Sequence, residues 1–410
     1  MTDSLGVYIS VPFCKAKCTY CNFASGVFAA ERMDGYVERV CAEMRGIRSW
    51  VGERQPRVEL PGVVDSIYFG GGTPSLLSAE QMRRLFAALR GEFAVSADAE
   101  VTLECAPGQL SEETLDEMLR QGMNRVSFGV QSCVDAEAKA VGRLHTRAMC
   151  LAEIARMRVA GSENLNVDLI AGLPGQTAAS WRESVEVAVE TGVPHVSVYM
   201  LEVDEDSRLG REMLGAGSRY GAGDVASEDE SAEWYGEACG WLGAAGIEQY
   251  EISNFAREGF ASRHNIKYWR REPYVGFGLD AHSMLRSGVG GVRWANTDDL
   301  SRYEVERKYE VQGSRFEVLG ARVEEREVEV IGREKAFEEA MFLGLRMNEG
   351  VELEALRGEF GELVSGAVEA LGDVAEAGLV VVGGGRVGLT ASGRMASNEV
   401  FGRLLVEAVA

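Results

Sequence analysis

Val11-Pro12-Phe13-Cys14-Lys15-Ala16-Lys17-Cys18-Thr19-Tyr20-Cys21-Asn22-Phe23 follows the apolar run Val7 to Ile9 and places three thiols within eight residues. Three soft ligands on one short loop point to a metal, and gaps of three and two residues let that loop turn every sulfur inward. Three thiolates hold a four-iron cluster with its fourth corner open, where a further ligand can bind. A structural zinc knuckle normally closes on four ligands in paired Cys-x2-Cys units, and no fourth Cys or His stands nearby. The other cysteines, Cys41, Cys105, Cys133, Cys150 and Cys239, are scattered singly and read as small buried apolar residues.

The chain of 410 residues, 46% hydrophobic with 8 prolines, is long enough for a large catalytic domain and a small one. A formal charge of -22 gives a surface that repels phosphate backbones and anionic headgroups, so nucleic acid is not expected as a partner. No basic segment followed by an apolar core opens the sequence, and no apolar run approaches the roughly 20 residues of a membrane span. These features predict a cytoplasmic, reduced protein with no membrane span.

From Leu5 to Val203 short β-branched runs alternate with longer amphipathic stretches, the pattern of βα units around a parallel sheet. Six strands are expected: Gly6 to Val11, Ser66 to Gly70, Ala99 to Cys105, Arg125 to Val130, Asn164 to Ile170 and His195 to Leu201. Ser78-Ala79-Glu80-Gln81 offers a capping box for a helix to Arg90, and Ser111 to Thr114 starts another to Gln121. Functional groups of such barrels collect where strands end, and each strand end here carries an unusual residue. After the second strand, Gly70-Gly71-Gly72-Thr73-Pro74 lets backbone approach a ligand, with N-H and C=O groups to bind its polar end. Glu104 and Asp168 are carboxylates on otherwise apolar strands, where burial is costly without a partner. Gln131 closes the fourth strand with an amide that donates and accepts, and Arg143, twelve residues on, reads either as a carboxylate fork or as an exposed helix residue.

Cys-x3-Cys-x2-Cys after a strand, with an aromatic before the last Cys, resembles the cluster loop of radical S-adenosylmethionine (SAM) enzymes. The lead-in Tyr8-x3-Pro12-Phe13-Cys14 is similar to that of the oxygen-independent coproporphyrinogen III oxidase-like family. The resemblance covers most of residues 5 to 203 and implies a partial (βα)6 TIM-like barrel, with a [4Fe-4S] cluster on Cys14, Cys18 and Cys21. It also implies SAM binding through Tyr8, Tyr20, Gly71, Gly72, Thr73, Glu104, Gln131, Arg143 and Asp168. As in the family's oxidases, two SAM sites are implied: Tyr8, Gly71 and Glu104 at one, and the remaining residues at the other. In the family's chemistry a reduced cluster passes one electron to SAM, cleaving it to methionine and a 5'-deoxyadenosyl radical.

Two positions depart from the oxidase pattern. Ser10 stands where the family usually has His, and Phe23 stands where the true oxidases carry a further Cys. Phe23 resembles the haem-chaperone branch, the HemW-like proteins, and so does His264-Asn265-Ile266-Lys267-Tyr268-Trp269. Taken without the family, that second stretch is an aromatic core segment with a hydrogen-bonded His; the family motif makes His264 the first haem-ligand candidate. Gly276-Phe277-Gly278-Leu279-Asp280-Ala281-His282-Ser283 resembles a family segment that is usually Gly-x-Gly-Ala-Gly-Ala-His-Ser, and His282 is the alternative ligand. His145 and His195 read as structural.

Asp204 to Ser227 reads as loop with one helical turn, Glu228 to Ala245 as a helix, and Ile247 to Ala256 as a strand and turn. Asp298 to Lys308 begins a polar helix, and Phe316 to Val330 has no assignable pattern. Glu334 to Arg346, Leu353 to Phe360 and Leu363 to Ala377 are expected helices, followed by a hairpin over Leu379 to Thr390 turning at Gly383-Gly384-Gly385. The fold class is therefore α/β, with a small winged-helix-like α+β domain at the C-terminus. Expected domains are 1-220 for cluster and SAM, 221-300 as a barrel extension with the haem motif, and 301-410 as the C-terminal unit. The resemblance implies a haem chaperone that passes haem to an acceptor protein, with a one-electron donor such as flavodoxin and a homodimeric state. The alternative is a radical SAM oxidase or methyltransferase acting on a porphyrin, which would share the same cluster and SAM sites.

Overall fold

Alternation of polar and apolar residues along the strands decides the architecture. The computed structural model describes residues 4-55, 58-304 and 328-404. Six strands, β1 (Leu5-Val11), β2 (Val63-Gly71), β3 (Ala94-Cys105), β4 (Arg125-Gln131), β5 (Asn164-Ala171) and β6 (His195-Met200), pair in parallel and in chain order. They are the six expected strands, with β2 and β3 beginning several residues earlier. Val7, Ile67, Leu103, Val126, Val167 and Val198 point outward beneath the surrounding helices and are at most 3% exposed. Burying each such side chain contributes roughly 2 kcal/mol. The intervening positions face inward, and they are polar: Tyr8, Tyr68, Thr102 and Arg125 share one level of the register, and Glu104, Ser127 and Asn166 the next.

Local signals start the helices as expected. Ser78 Oγ accepts from Gln81 N at 3.3 Å while Gln81 Oε1 accepts from Ser78 N at 2.9 Å, opening Ala79-Glu92. Ser111 Oγ accepts from Thr114 N at 3.1 Å, a one-way cap that opens Glu112-Arg120.

The sheet does not stop at six strands. β7 (Glu248-Glu251), β8 (Asn254-Ala256), β9 (Tyr274-Phe277), β10 (His282-Ser287), β11 (Gly290-Ala295) and β12 (Val328-Ile331) extend it to the order β12-β11-β10-β9-β1-β2-β3-β4-β5-β6-β8-β7. β9 lies parallel to β1, and the rest of the extension is antiparallel. The strand and turn expected over 247-256 is the β7-β8 hairpin. The glycine-rich stretch that forms β9 to β11 was not recognised as strand, because short runs with Gly in alternate places carry little period-2 signal.

Beyond β12, the helices Arg333-Arg346, Leu353-Phe360, Leu363-Ala370 and Gly372-Glu376 pack with a small sheet. Its strands are β13 (Val351-Glu352), β14 (Val380-Gly383) and β15 (Arg386-Leu389), in the order β13-β15-β14. This unit has its own apolar core around Phe337, Met341, Phe360 and Val387. The single helix expected over 363-377 is broken at the fully buried Leu371. Gly384 (φ 59°) and Gly385 (φ 78°) turn the β14-β15 hairpin, as a two-residue turn with positive φ at both centres requires. Of the polar helix expected from Asp298, Leu300-Glu304 is seen; the rest, with 316-327, lies outside the described residues.

Candidate functional site

The cysteine loop is fixed by backbone before any ligand is considered. Cys14 N donates to Gly26 O at 2.9 Å and Gly26 N to Pro12 O at 2.9 Å, closing the loop on itself. Phe13 anchors it edge-on against Phe28 and Tyr36. Thr19 N donates to Val141 O at 3.0 Å, and Leu209 N to Thr19 O at 2.8 Å. The second of these bonds corrects the reading of 204-227: it holds a two-turn helix, Arg208-Leu214, that braces the loop.

All three thiols are free. Each has a polar partner: Thr73 Oγ1 donates to Cys14 Sγ at 3.7 Å, Arg143 Nη1 donates to Cys18 Sγ at 3.4 Å, and Ser25 Oγ lies 3.8 Å from Cys21 Sγ, where the hydroxyl donates once the sulfur is a thiolate. Burial pushes the Cys14 thiol up, with Thr73 and Ser25 opposing. Among the described residues no three Cys, His, Asp or Glu side chains, the three thiols included, stand close enough together to hold a metal ion. The thiols share one loop, and the hydroxyl and guanidinium donors aimed at them suit thiolates rather than thiols, so the donor set fits an anionic iron-sulfur cluster.

The glycine turn after β2 lies directly against this loop. A Cβ at Gly72 would sit 2.8 Å from Val11 O and 3.0 Å from Cys14 Sγ, so only glycine fits there. The N-H groups of Gly72 and Thr73 donate to Val11 O (2.8 Å) and Phe13 O (2.9 Å). These two N-H groups stitch turn to loop, and the carbonyls of Thr73 and Pro74 accept from Leu76 N and Leu77 N, both at 3.0 Å.

Inside the barrel the two odd carboxylates face each other. Glu104 accepts from Tyr68 Oη at 2.9 Å and from Gly71 N-H; burial, and then the charge of Asp168, raise its carboxyl to about 7. Asp168 accepts from Asn166 Nδ2 at 2.7 Å and Ser127 Oγ at 3.3 Å, and burial raises it despite those bonds. Arg125, 2% exposed, spreads positive charge toward both from below. Tyr8 stacks on Tyr68 with centroids 6.0 Å apart. Tyr20 is held beside Cys18 and Arg143, and Arg143 also donates to Gly129 O. Gln131 has φ 70°, a left-handed conformation that brings its amide back toward Gly129. Tyr8, Gly71 and Glu104 thus stand together, and Tyr20, Gly72, Thr73 and Arg143 lie beside the thiols, with the Gln131 amide beside Gly129 and Arg143. Tyr68, Arg125, Ser127 and Asn166 were not singled out in the sequence, although their polar alternation in the strands was there to be read.

The histidines separate cleanly. His264 lies on the short helix Arg263-Trp269, 1% exposed, with Nδ1 2.9 Å from Ser66 Oγ and Nε2 2.9 Å from Tyr268 Oη. Spacing of four residues puts His264 and Tyr268 on one helix face. Burial, with Lys267 and Arg125 nearby, lowers the imidazole to about 3. In this conformation neither ring nitrogen is open to an iron, against the expectation that placed His264 first. His282 is open, its side chain 58% exposed and Nε2 3.9 Å from Asp280 Oδ1. It lines a cleft of about 350 Å³ with Tyr8, Ser10, Phe23, Gly71, Tyr268 and Tyr274. Asp280, where the family usually has Gly, adopts φ 55°, a left-handed position that Asp tolerates better than most residues. His145, bonded to Val130 O at 3.1 Å, and His195, bonded to Asn166 and Tyr250, are buried structural groups.

Residues 8-188 match the radical SAM superfamily, and residues 331-396 match the HemN C-terminal domain. The heme chaperone HemW of Bacillus subtilis is 33% identical over 403 residues, which cover 98% of this chain and 99% of that one. The chain belongs to the HemW family. The HemW of Mycobacterium tuberculosis is 31% identical over 98% of this chain and 94% of its own. The bovine mitochondrial radical S-adenosyl methionine domain-containing protein 1 is 34% identical over 70% of this chain and 62% of its own. The Escherichia coli coproporphyrinogen III oxidase structure, at 22% identity, superposes with a TM-score of 0.79 over 98% of this chain and 90% of that one, which establishes the shared fold. Among the described residues no helix is long and apolar enough to cross a membrane.

Proposed function

We propose that this protein binds haem in the cleft beside the cysteine loop and passes it to an acceptor protein, while its radical SAM domain carries a [4Fe-4S] cluster and SAM. The observation that carries the reading is the cleft itself. Its aromatic wall (Tyr8, Phe23, Tyr268, Tyr274) suits a flat apolar macrocycle, and the open imidazole of His282 suits an axial ligand. Phe23, 63% exposed, is an apolar ring held out at the mouth of the cleft. The names of the B. subtilis and M. tuberculosis relatives support the same reading.

Cys14, Cys18 and Cys21 would hold the cluster, which supplies one electron and an open iron when bound. Thr73, Arg143 and Ser25 donate to the sulfurs and stabilise their negative charge. Tyr8, Gly71 and Glu104 would take one SAM, Glu104 accepting from ribose hydroxyls. Tyr20, Gly72, Thr73, Gln131, Arg143 and Asp168 would take the other, with Arg143 the fork for a carboxylate. A one-electron donor such as flavodoxin, a homodimeric state and cytoplasmic residence belong to the same proposal.

The polar barrel interior favours a second reading, a radical SAM enzyme acting on a porphyrin. One anaerobic experiment separates the two. The cluster is reconstituted, haem, SAM and dithionite are added, and the haem spectrum is followed beside 5'-deoxyadenosine formation, with coproporphyrinogen III as a parallel substrate and C14S as the cluster-free control. Stoichiometric haem binding without porphyrinogen turnover is expected. Turnover without haem affinity would replace the chaperone by the enzyme.

A further inference from the structure

A second cleft, of about 330 Å³, lies between the Arg263-Trp269 helix and the C-terminal unit. Arg270, Arg271, Arg286 and Arg386 line it, an unusual concentration in a chain of net charge -22. Glu349, Glu352 and Glu359 line it too, and with Glu339 behind Arg271 each of the four guanidinium groups has a carboxylate partner, so no net charge is left over. Arg270 and Arg286 are already spent on Glu349 (3.0 Å) and Glu359 (2.5 Å).

Two buried donors are not spent. Arg271 is 4% exposed; its Nε bonds Glu339 at 3.1 Å, and its Nη2 is without a partner. The indole N-H of Trp269 is also buried and unpaired. A buried orphan donor is costly, and two at one cleft call for an acceptor.

The backbone adds an independent sign. Glu272 N donates to Lys267 O at 2.9 Å and Arg271 N to Tyr268 O at 3.1 Å, which ends the helix in a Schellman turn. The turn puts Arg271 at φ 51°, the position glycine ordinarily fills. A long charged side chain is kept there against its backbone preference.

We propose that this cleft binds the carboxylate of an amphipathic organic acid. The planar guanidinium of Arg271 and the indole N-H of Trp269 supply donors for one carboxylate, and Met347, Val351 and Leu356 supply an apolar wall for its body. With every guanidinium already facing a carboxylate, a doubly charged phosphate finds no counter-charge, while a single carboxylate can take the two orphan N-H donors. Trp269 directly follows Tyr268, which bonds His264 and lines the first cleft, so the ligand would load the same short helix from its other side. The carboxylate has two sources: a tetrapyrrole propionate, an assignment that rests on the haem reading, or a free small acid.

The test uses the full chain with its cluster reconstituted anaerobically, titrated calorimetrically with 4-phenylbutyrate and with inorganic phosphate. W269F removes the N-H and keeps a ring beneath the guanidinium of Arg346. R271G relieves the left-handed position and leaves Glu339 paired with Arg293, so the fold is retained. Phenylbutyrate should bind the wild type and weaken about tenfold or more in each variant, with phosphate at least about tenfold weaker throughout. No phenylbutyrate binding to the wild type, or unchanged binding in both variants, overturns the site. Haem is then compared with its dimethyl ester: a loss in R271G seen for haem and not for the ester identifies a propionate, and equal behaviour of both identifies a free acid. Failure of the wild type to bind haem at all would sink the chaperone reading and leave the phenylbutyrate result standing.

Discussion

Freeing His264 Nε2 from Tyr268 would cost about 1 kcal/mol for the bond alone, and the ring would still lie beneath the wall of the cleft. His282 needs no rearrangement. H282A should therefore abolish or shift the haem Soret band, whereas H264A should keep the band and lose roughly 2-3 kcal/mol of stability in urea melts, through the cavity and the orphaned hydroxyls of Ser66 and Tyr268. The opposite pair of outcomes would mean that the Arg263-Trp269 helix opens to bind haem. Glu104 makes a sharper prediction at the same scale. Its carboxyl is raised from the usual 4.5 to about 7, so the folded chain keeps a proton that the unfolded chain has lost. Stability therefore falls as pH rises from about 4.5 to about 7 and is level above, for at most roughly 3 kcal/mol. Ligand-free E104Q should melt higher than wild type at pH 8, with the gain gone at pH 4.5; a gain independent of pH would refute the assignment. Glu104 could be picked out in the sequence because an acid on an apolar strand is anomalous. Its hydroxyl partner Tyr68 was not, because tyrosine is at home in strands.

At the scale of elements, the Arg263-Trp269 helix is held from outside itself. Glu100 of β3, 5% exposed, accepts from Arg263 N and His264 N, both at 3.0 Å, placing negative charge at the helix N-terminus. E100Q keeps one acceptor and loses the charge, and should cost about 1-2 kcal/mol, read as a lower urea midpoint together with a changed Trp269 environment in fluorescence. An unaltered midpoint would show that the N-cap Ser262, whose Oγ accepts from Asn265 N at 3.3 Å, suffices. Local signals of the Ser78 and Ser111 kind were legible in sequence because they lie within four residues. The link from Glu100 to this helix spans more than 160 residues, and strands β9 to β11 exist only because β1 offers an edge to pair with.

For the whole molecule, three of the four histidines are buried and neutral. Burial is the largest cause for each: it lowers His145 to about 4, His264 to about 3 and His195 well below the usual 6.5. The unfolded chain takes up protons as pH falls through 6.5 while the folded chain does not, so this stability is present above 6.5 and is lost on acidification. The raised carboxyls of Glu104, Asp168 and Glu251 oppose this, since each keeps in the fold a proton that the unfolded chain has lost. Between pH 6.5 and pH 5, H195N should lower the dependence of unfolding free energy on pH by about one proton relative to wild type. A slope unchanged in H195N would mean that His195 is charged in the fold.

The sequence by itself determined the six-stranded parallel core, the cysteine loop, the anomalous strand-end residues and the helix-and-hairpin character of the C-terminal unit, because each is written in a local period, a cap or a spacing. Only the tertiary structure decided which histidine is open, where the N-H groups of the glycine turn are spent, and that arginines from three separate segments, 270-271, 286 and 386, line one cleft. Those outcomes depend on which groups meet across hundreds of residues and on which side of a wall a ring is buried, and neither leaves a periodic trace in the chain.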